Sequence, residues 1–410
     1  MTKVYSKALN QTIIIERFIG KLKSKSKGPS MILTAGIHGN EPAGVFALLQ
    51  LVEFLKTNNI KIKGNLYAIA GNLPALENGE RFHQQDLNRL WTNERMIQLQ
   101  KGKLEINDKD IAELINLNEC INDILSQDTG PFYFLDLHTT SSETMPFVVM
   151  NDSLLNRKFT NQYPLPTILG IEEYLEGPLL SYINELGYVA FGFESGQHDD
   201  NSSIQNHFAF SILSLVFAGL IEKDAVDFNK YYATLAKNTM NTRDFYEILY
   251  RYKIKPGEEF QMNPGYVNFE LIEKGQQLAI SNKKPIYADS QARIFMPLYQ
   301  DQGSEGFFAI QRVSKFALKL SAILRKIRLD RILPLLPGVS WSEGSALRVN
   351  RKIARFFTKD FFHLLGYRSK RLDKNFYLMR NRELASREDE YKDESWYSNK
   401  KKNNKITYPE

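Results

Sequence analysis

The stretch that most restricts what this chain can fold into runs from residue 31 to 55. An apolar run, Met31 to Ile37, stops on His38-Gly39-Asn40-Glu41-Pro42, and an apolar-periodic segment follows from Val45 to Leu55. A run of strand length, a tight turn and a helical period read as strand, turn, helix. Gly36, Gly39 and Gly44 permit backbone conformations and close approaches that other residues resist. The turn carries an imidazole and a carboxylate three positions apart, which can converge on one cation. Zinc accepts both donor types, and a catalytic zinc site needs a third protein ligand and an open position.

The same grammar recurs downstream. Residues 11–18 and Gly64–Ala70 read as strands, Lys21–Ser30 as a lysine-rich loop, and Asp108–Gln127 as a helix. Phe132–Leu137 is a strong buried strand running into His138-Thr139-Thr140-Ser141, and Tyr188–Phe193 is another that delivers Glu194 at its end. Strands alternating with helices, with polar residues just past the strand ends, predict an α/β fold with its ligand at that edge. From Arg243 the pattern changes to short apolar segments between Gly, Pro, Asn and Asp turns, which reads as a small β domain ending near Val313. The expected organisation is a catalytic domain over 1–242, a small β domain over 243–312 and a basic, partly helical extension over 313–410.

Composition narrows the setting. The single cysteine, Cys120, excludes an internal disulfide framework and a cysteine-based zinc cluster, and its place in a helical apolar pattern marks it as a core thiol. Residues 1–10 lack the apolar core of a signal peptide, and no stretch approaches the roughly 20 apolar residues of a membrane span. The cytoplasm is the expected compartment. The net charge of +6 hides an asymmetry: residues 313–410 hold 23 of the 53 Lys+Arg and 11 of the 47 Asp+Glu, a net +12 against −6 for the remainder.

Four polar clusters converge on one chemistry. His38, Glu41 and His138 would form a two-histidine, one-carboxylate site for one zinc ion per chain, although that ligand set accepts other divalent ions. Glu194 would be the general base, passing a proton from water to a leaving amine. The unusually long connection 72–91 supplies Arg81 for an oxyanion, and Asn88 and Arg89 for a substrate carboxylate. Thr139 is a pocket-lining candidate, with satisfaction of strand-end backbone groups as its alternative. A cap for the following helix is the plainer reading of His38 and Glu41, a solvated loop that of His83, and a polar turn that of His198.

In order along the chain, His-Gly-Asn-Glu-x-x-Gly (38–44), Asn-x-x-Ala (72–75), Arg-x4-Asp-Leu-Asn-Arg (81–89), Asp-Leu-His-Thr (136–139) and a strand ending in Glu194 resemble the succinylglutamate desuccinylase/aspartoacylase family, within the larger zinc carboxypeptidase fold. The resemblance covers roughly residues 30 to 310. It implies a zinc-carboxypeptidase-like mixed sheet of eight strands between helices, His38, Glu41 and His138 as zinc ligands, Glu194 as catalytic base, and Arg81, Asn88 and Arg89 as carbonyl- and substrate-binding residues. Two departures bear on substrate. Aspartoacylase-like members carry an Arg about ten residues before the catalytic Glu, and 184–193 holds no Arg or Lys. They also supply a Tyr from the β domain, where this chain offers Phe307 and Phe308, with Tyr299 earlier. The expected substrate is a small acyl-amino compound, more apolar or differently charged than an acylated aspartate.

Two rival functions stand beside zinc-dependent amide hydrolysis. One is a metallocarboxypeptidase acting on peptides or cell-wall fragments, and the other a non-catalytic metal-binding or docking protein. No nucleic-acid module signature is present, and nucleic acid is not an expected partner. In the extension, Val313, Phe316, Leu320, Leu324 and Ile327 share one helical face flanked by lysines and arginines. That face either lies on an anionic membrane or packs on the hydrolase core, with packing favoured. Arg348–Arg371 interleaves basic residues with Phe356, Phe361, Phe362 and Tyr367, and 386–410 is expected to be disordered.

Overall fold

The computed structural model describes residues 1–342, 346–350, 352–353, 359–371, 373 and 375–398. Phe356 and residues 399–410 lie outside them.

The centre of the molecule is the strand Phe132–Thr140, buried along its whole length. It pairs in parallel with Ser30–Ala35 on one side and Val189–Gln197 on the other. Side chains alternate across these strands and feed two layers. Met31, Leu33, Ala35, Tyr133, Leu135 and Leu137 join the helices Ala43–Thr57 and Asn201–Phe217 on one face. Ile32, Phe132 and Phe134 meet Lys109–Gln127 and Leu179–Glu185 on the other.

Around this centre lies an eleven-stranded mixed sheet, not the eight strands that the resemblance implied. Four of the eleven strands come from residues 245–313. Phe245–Lys253 pairs in parallel with Thr167–Leu169 and antiparallel with Glu305–Val313, so the sheet continues without a break past residue 242. Ala292–Phe295 and Leu271–Ile272 complete that edge, and Phe260–Met262, Gln277–Ser281 and Lys284–Tyr287 form a separate small sheet. At the opposite edge Phe18–Lys23 is a strand, where the composition of 21–30 suggested a loop. Lysines on an edge strand discourage pairing with another chain, which is why Lys21 and Lys23 do not disqualify it.

The extension differs from expectation in two respects. Helix Lys315–Lys326 buries Ser321 and Arg325, while Phe316 and Ile327 of its predicted packing face are exposed. Leu318 packs against the main core and Leu324 against the apolar cluster of the extension, and buried charge adds to both. Arg325 donates to Asp152 Oδ2 at 2.7 Å and Glu383 Oε1 at 3.2 Å, and Arg157 also pairs with Asp152. Beside them, buried Arg382 reaches Glu172 at 2.6 Å and also pairs with Glu173. The second difference is that residues 386–398 are ordered. Tyr391 is fully buried, its hydroxyl donating to Phe132 O and accepting from Val189 N at the starts of two central strands, and Trp396 packs on Phe159. Between these parts, Val339–Trp341, Leu347–Asn350, Tyr367–Arg371 and Phe376–Asn381 form a four-stranded sheet.

Candidate active site

His138 and Glu194 are register partners at the ends of neighbouring strands. Ala35 lies opposite Leu137 on the other side, so the turn after Ala35 brings His38 and Glu41 to the same edge. Two glycines make that turn possible. Gly36 has φ +72°, a left-handed conformation. A Cβ on Gly39 would sit 2.0 Å from the backbone carbon of Ala75. The following helix, Ala43–Thr57, has Pro42 at its N-cap and no side-chain cap, so neither His38 nor Glu41 serves as one.

Glu41 is the hub. Its Oε1 lies 2.8 Å from His38 Nδ1 and its Oε2 lies 3.0 Å from His138 Nδ1, while Thr139 N donates to Oε2 at 3.0 Å. Behind each imidazole stands an aspartate: His38 Nε2 is 3.1 Å from Asp86 Oδ1, and His138 Nε2 is 2.7 Å from Asp136 Oδ2. Asp136 is itself oriented by Thr34, whose hydroxyl donates at 2.6 Å. A histidine whose Nε2–H donates to a carboxylate presents a lone pair at Nδ1, and metal-binding histidines are typically arranged in this way. Both Nδ1 atoms face an anionic carboxylate. Acceptors do not face one another at these distances without a proton or a cation between them. One donor atom from each of His38, Glu41 and His138 lies within 4.8 Å of the others, and all three side chains are buried. Two imidazoles and a carboxylate are a donor set that zinc accepts.

The electrostatics follow from this crowding. Burial works against ionisation of Glu41, but the two imidazoles override it and hold the carboxyl well below its usual range. For His138 burial is likewise outweighed, here by Asp136 and Glu41, and the ring's proton affinity rises well above the ordinary value. Glu194 goes the other way. Burial lifts its carboxyl to about 8, with His138 and Arg81 opposing the rise and Glu41 and Asp136 adding to it. Its Oε2 is buried without a hydrogen-bond partner. A carboxyl that titrates near neutrality at the mouth of a donor cluster is suited to proton transfer.

The other expected residues line the same cavity, of about 140 Å³. Arg81 approaches Glu41 Oε1 at 3.5 Å and Asp86 Oδ2 at 3.3 Å. Asn88 spends its side-chain oxygen on Leu179 N. Arg89 is already paired with Glu305 Oε2 at 3.1 Å. Thr139 lines the wall and also bonds His198 Nδ1 through its hydroxyl at 2.7 Å, so His198 reaches the site from the polar turn before helix Asn201–Phe217. Gln300 closes this chain of contacts, reaching His198 Nε2 at 3.0 Å and Asn40 at 2.9 Å. His83 is not among the lining residues. Phe308 is, whereas the hydroxyl of Tyr299 donates to Asn263 O. The remaining wall is largely apolar, with Val149, Ile171, Leu175, Leu180, Met296 and Leu298.

Residues missed from sequence are Asp136, Asp86 as a histidine partner, His198, Gln300 and Glu305. Asp136 had a signal, since it lies two positions before His138 and shares its face of the strand. Glu305 had none, being 216 residues from its partner.

Residues 27–200 match the sequence model of the succinylglutamate desuccinylase/aspartoacylase catalytic domain. The succinylglutamate desuccinylase of Photorhabdus laumondii is 27% identical over 135 residues, 33% of this chain and 41% of that protein, and the enzyme of that name from Yersinia enterocolitica is 44% identical over 62 residues, 15% of this chain and 19% of that protein. The chain thus aligns with less than half the length of these relatives. Among solved structures, a succinylglutamate desuccinylase/aspartoacylase from Rhodobacter sphaeroides superposes with a TM-score of 0.52 at 16% identity, covering 72% of this chain and 88% of that one. That likeness is one of fold.

Proposed function

We propose that the chain belongs to the succinylglutamate desuccinylase/aspartoacylase family, whose catalytic-domain model its residues 27–200 match, and that it hydrolyses the amide bond of an N-acyl amino acid or a similar small acyl-amide, with one zinc ion per chain and in the cytoplasm. The observation that carries the reading is the cluster itself: two imidazoles, each backed by an aspartate, face one buried carboxylate beside a second carboxyl, that of Glu194, whose Oε2 has no hydrogen-bond partner.

In this reading His38, Glu41 and His138 hold the ion. When bound, it supplies Lewis acidity, lowering the pKa of a water and polarising the scissile carbonyl. Asp86 and Asp136 keep the two rings in the tautomer that leaves Nδ1 free. Glu194 takes the proton from the attacking water and returns it to the departing amine nitrogen, so the products are a carboxylate and a free amine. Arg81 stabilises negative charge on the carbonyl oxygen. Asn88, Arg89 and Thr139 bind substrate, and Arg89 does so while sharing its charge with Glu305. That shared charge, together with the apolar wall, supports a substrate less acidic than an acylated dicarboxylic amino acid. The small cavity supports a compact acyl-amide over a peptide. The same proposal keeps 1–242, 243–312 and 313–410 as functional divisions, with the middle segment contributing Met296 to Phe308 to the pocket.

The test is a hydrolysis screen over N-acyl amino acids with Glu194→Gln as the paired variant. The wild type should release amine from at least one member, and the variant should lose at least about a hundredfold in rate, the usual worth of a general base, while binding metal as before. Full activity in the variant would remove Glu194 from the mechanism.

A further inference from the structure

Helix Lys315–Lys326 turns Ser321, Arg325 and the partly buried Leu318 toward its domain and turns Phe316, Ile323 and Ile327 toward water. At about 100° per residue, Phe316, Ile323 and Ile327 fall within an arc of about 40°, and Ser321 and Arg325 lie on the opposite side. The first three are 75%, 57% and 63% exposed, and the latter two are buried. Along the chain Ile332, Leu335 and Trp341 are exposed as well. Single exposed apolar residues are ordinary, but a stripe of them along one helix, continued by three more within the next two dozen residues, is not.

Along this stretch of chain the exposed charges are of one sign. Lys315, Lys319 and Lys326 lie along one flank of the helix, and Arg328 and Arg331 follow it, all exposed. Between residues 306 and 342 the only acidic residue is Asp330, which is buried. The buried Arg325 fixes this orientation, because turning the stripe inward would take its guanidinium away from Asp152 and Glu383.

We propose that this face docks on the surface of an anionic lipid bilayer, with Phe316, Ile323 and Ile327 entering the boundary between headgroups and acyl chains and the lysines lying among the lipid phosphates. The charge pattern selects this occupant. A second copy of the chain would bring two lysine rows together across a self-complementary interface. A nucleic acid would satisfy the lysines and leave the isoleucines in water. A bilayer with negative headgroups meets both demands at once.

The experiment is co-sedimentation of the purified full-length chain with phosphatidylcholine vesicles, with and without phosphatidylglycerol, at low and high salt. The chain should pellet with the mixed vesicles at low salt, stay in solution with phosphatidylcholine alone, and be released by salt. Lys319→Glu/Lys326→Glu should weaken binding by more than about tenfold. Phe316→Ser/Ile323→Ser/Ile327→Ser should weaken it comparably even at low salt. Both variants alter only exposed side chains and should keep the wild-type melting temperature. Failure to pellet with the mixed vesicles at low salt, or binding that neither variant weakens, overturns the proposal. So does a concentration-dependent dimer, seen by light scattering, that the triple variant abolishes, since a second copy would then be the occupant.

Discussion

Asp86 and Asp136 shape the chemistry although neither belongs to the proposed ligand set. Each holds one imidazole at Nε2, so the site's readiness for a cation resides partly in residues that do not touch it. Such carboxylates usually alter metal affinity by 10- to 100-fold. Asp136→Asn should therefore weaken zinc binding by about that range, measured by competition with a chelator, while the buried strand keeps its place. Unchanged affinity would mean that Asp136 serves the fold and not the cation. At the same scale, Arg89 and Glu305 show how a charge can be present and yet not fully available. A guanidinium with a resident carboxylate at 3.1 Å attracts a substrate carboxylate less than a free one would.

At the scale of elements, the buried ion cluster fastens helix Lys315–Lys326 and the turn after Phe376–Asn381 to the segment 152–173. Burial opposes ionisation of Asp152, but Arg157, Arg325 and Arg382 outweigh it and hold the carboxyl far below its usual range. A carboxylate depressed in the folded state contributes stability that is present above its unfolded value, near 3.9, and is lost as pH falls toward its folded value. Asp152→Asn should therefore lower stability by about 3 to 5 kcal/mol at pH 7, the cost of leaving buried cations unpaired. Below about pH 4 the gap to wild type should narrow. Thermal unfolding across pH checks both, and a gap independent of pH would rule out the carboxylate's charge as the cause. This cluster also explains what sequence could and could not convey. Strands and helices of the centre were legible because apolar periodicity is a local signal, and His38, Glu41, His138 and Glu194 were legible because each follows such a strand. The attachment of the extension was not. It depends on Arg325 and Arg382 meeting Asp152, Glu172 and Glu173, and ion pairs between residues some 170 to 210 positions apart leave no periodic trace. Periodicity alone therefore assigned Phe316 and Ile327 to the packing face, when the charges settled the helix's rotation.

The whole molecule is tied together at both ends of its central strands. At one end stands the His38–Glu41–His138 cluster, with Met296, Leu298 and Gly303 lining the same cavity. At the other, Tyr391 and Trp396 cap the strand starts, so the extension is a working part of the sheet's framework as well as the bearer of an exposed basic face. Among the described residues no helix is long and apolar enough to cross a membrane. The central claim, that this architecture exists to hold one catalytic ion beside Glu194, is tested most directly by metal analysis of the purified chain. The hydrolysis of N-acyl amino acids is assayed on the same sample before and after chelation. The account predicts about one zinc ion per chain, as a single three-ligand site requires, with turnover lost on chelation and restored by zinc. A chain that takes up no metal on reconstitution, or that hydrolyses its substrate equally well without any, would contradict it.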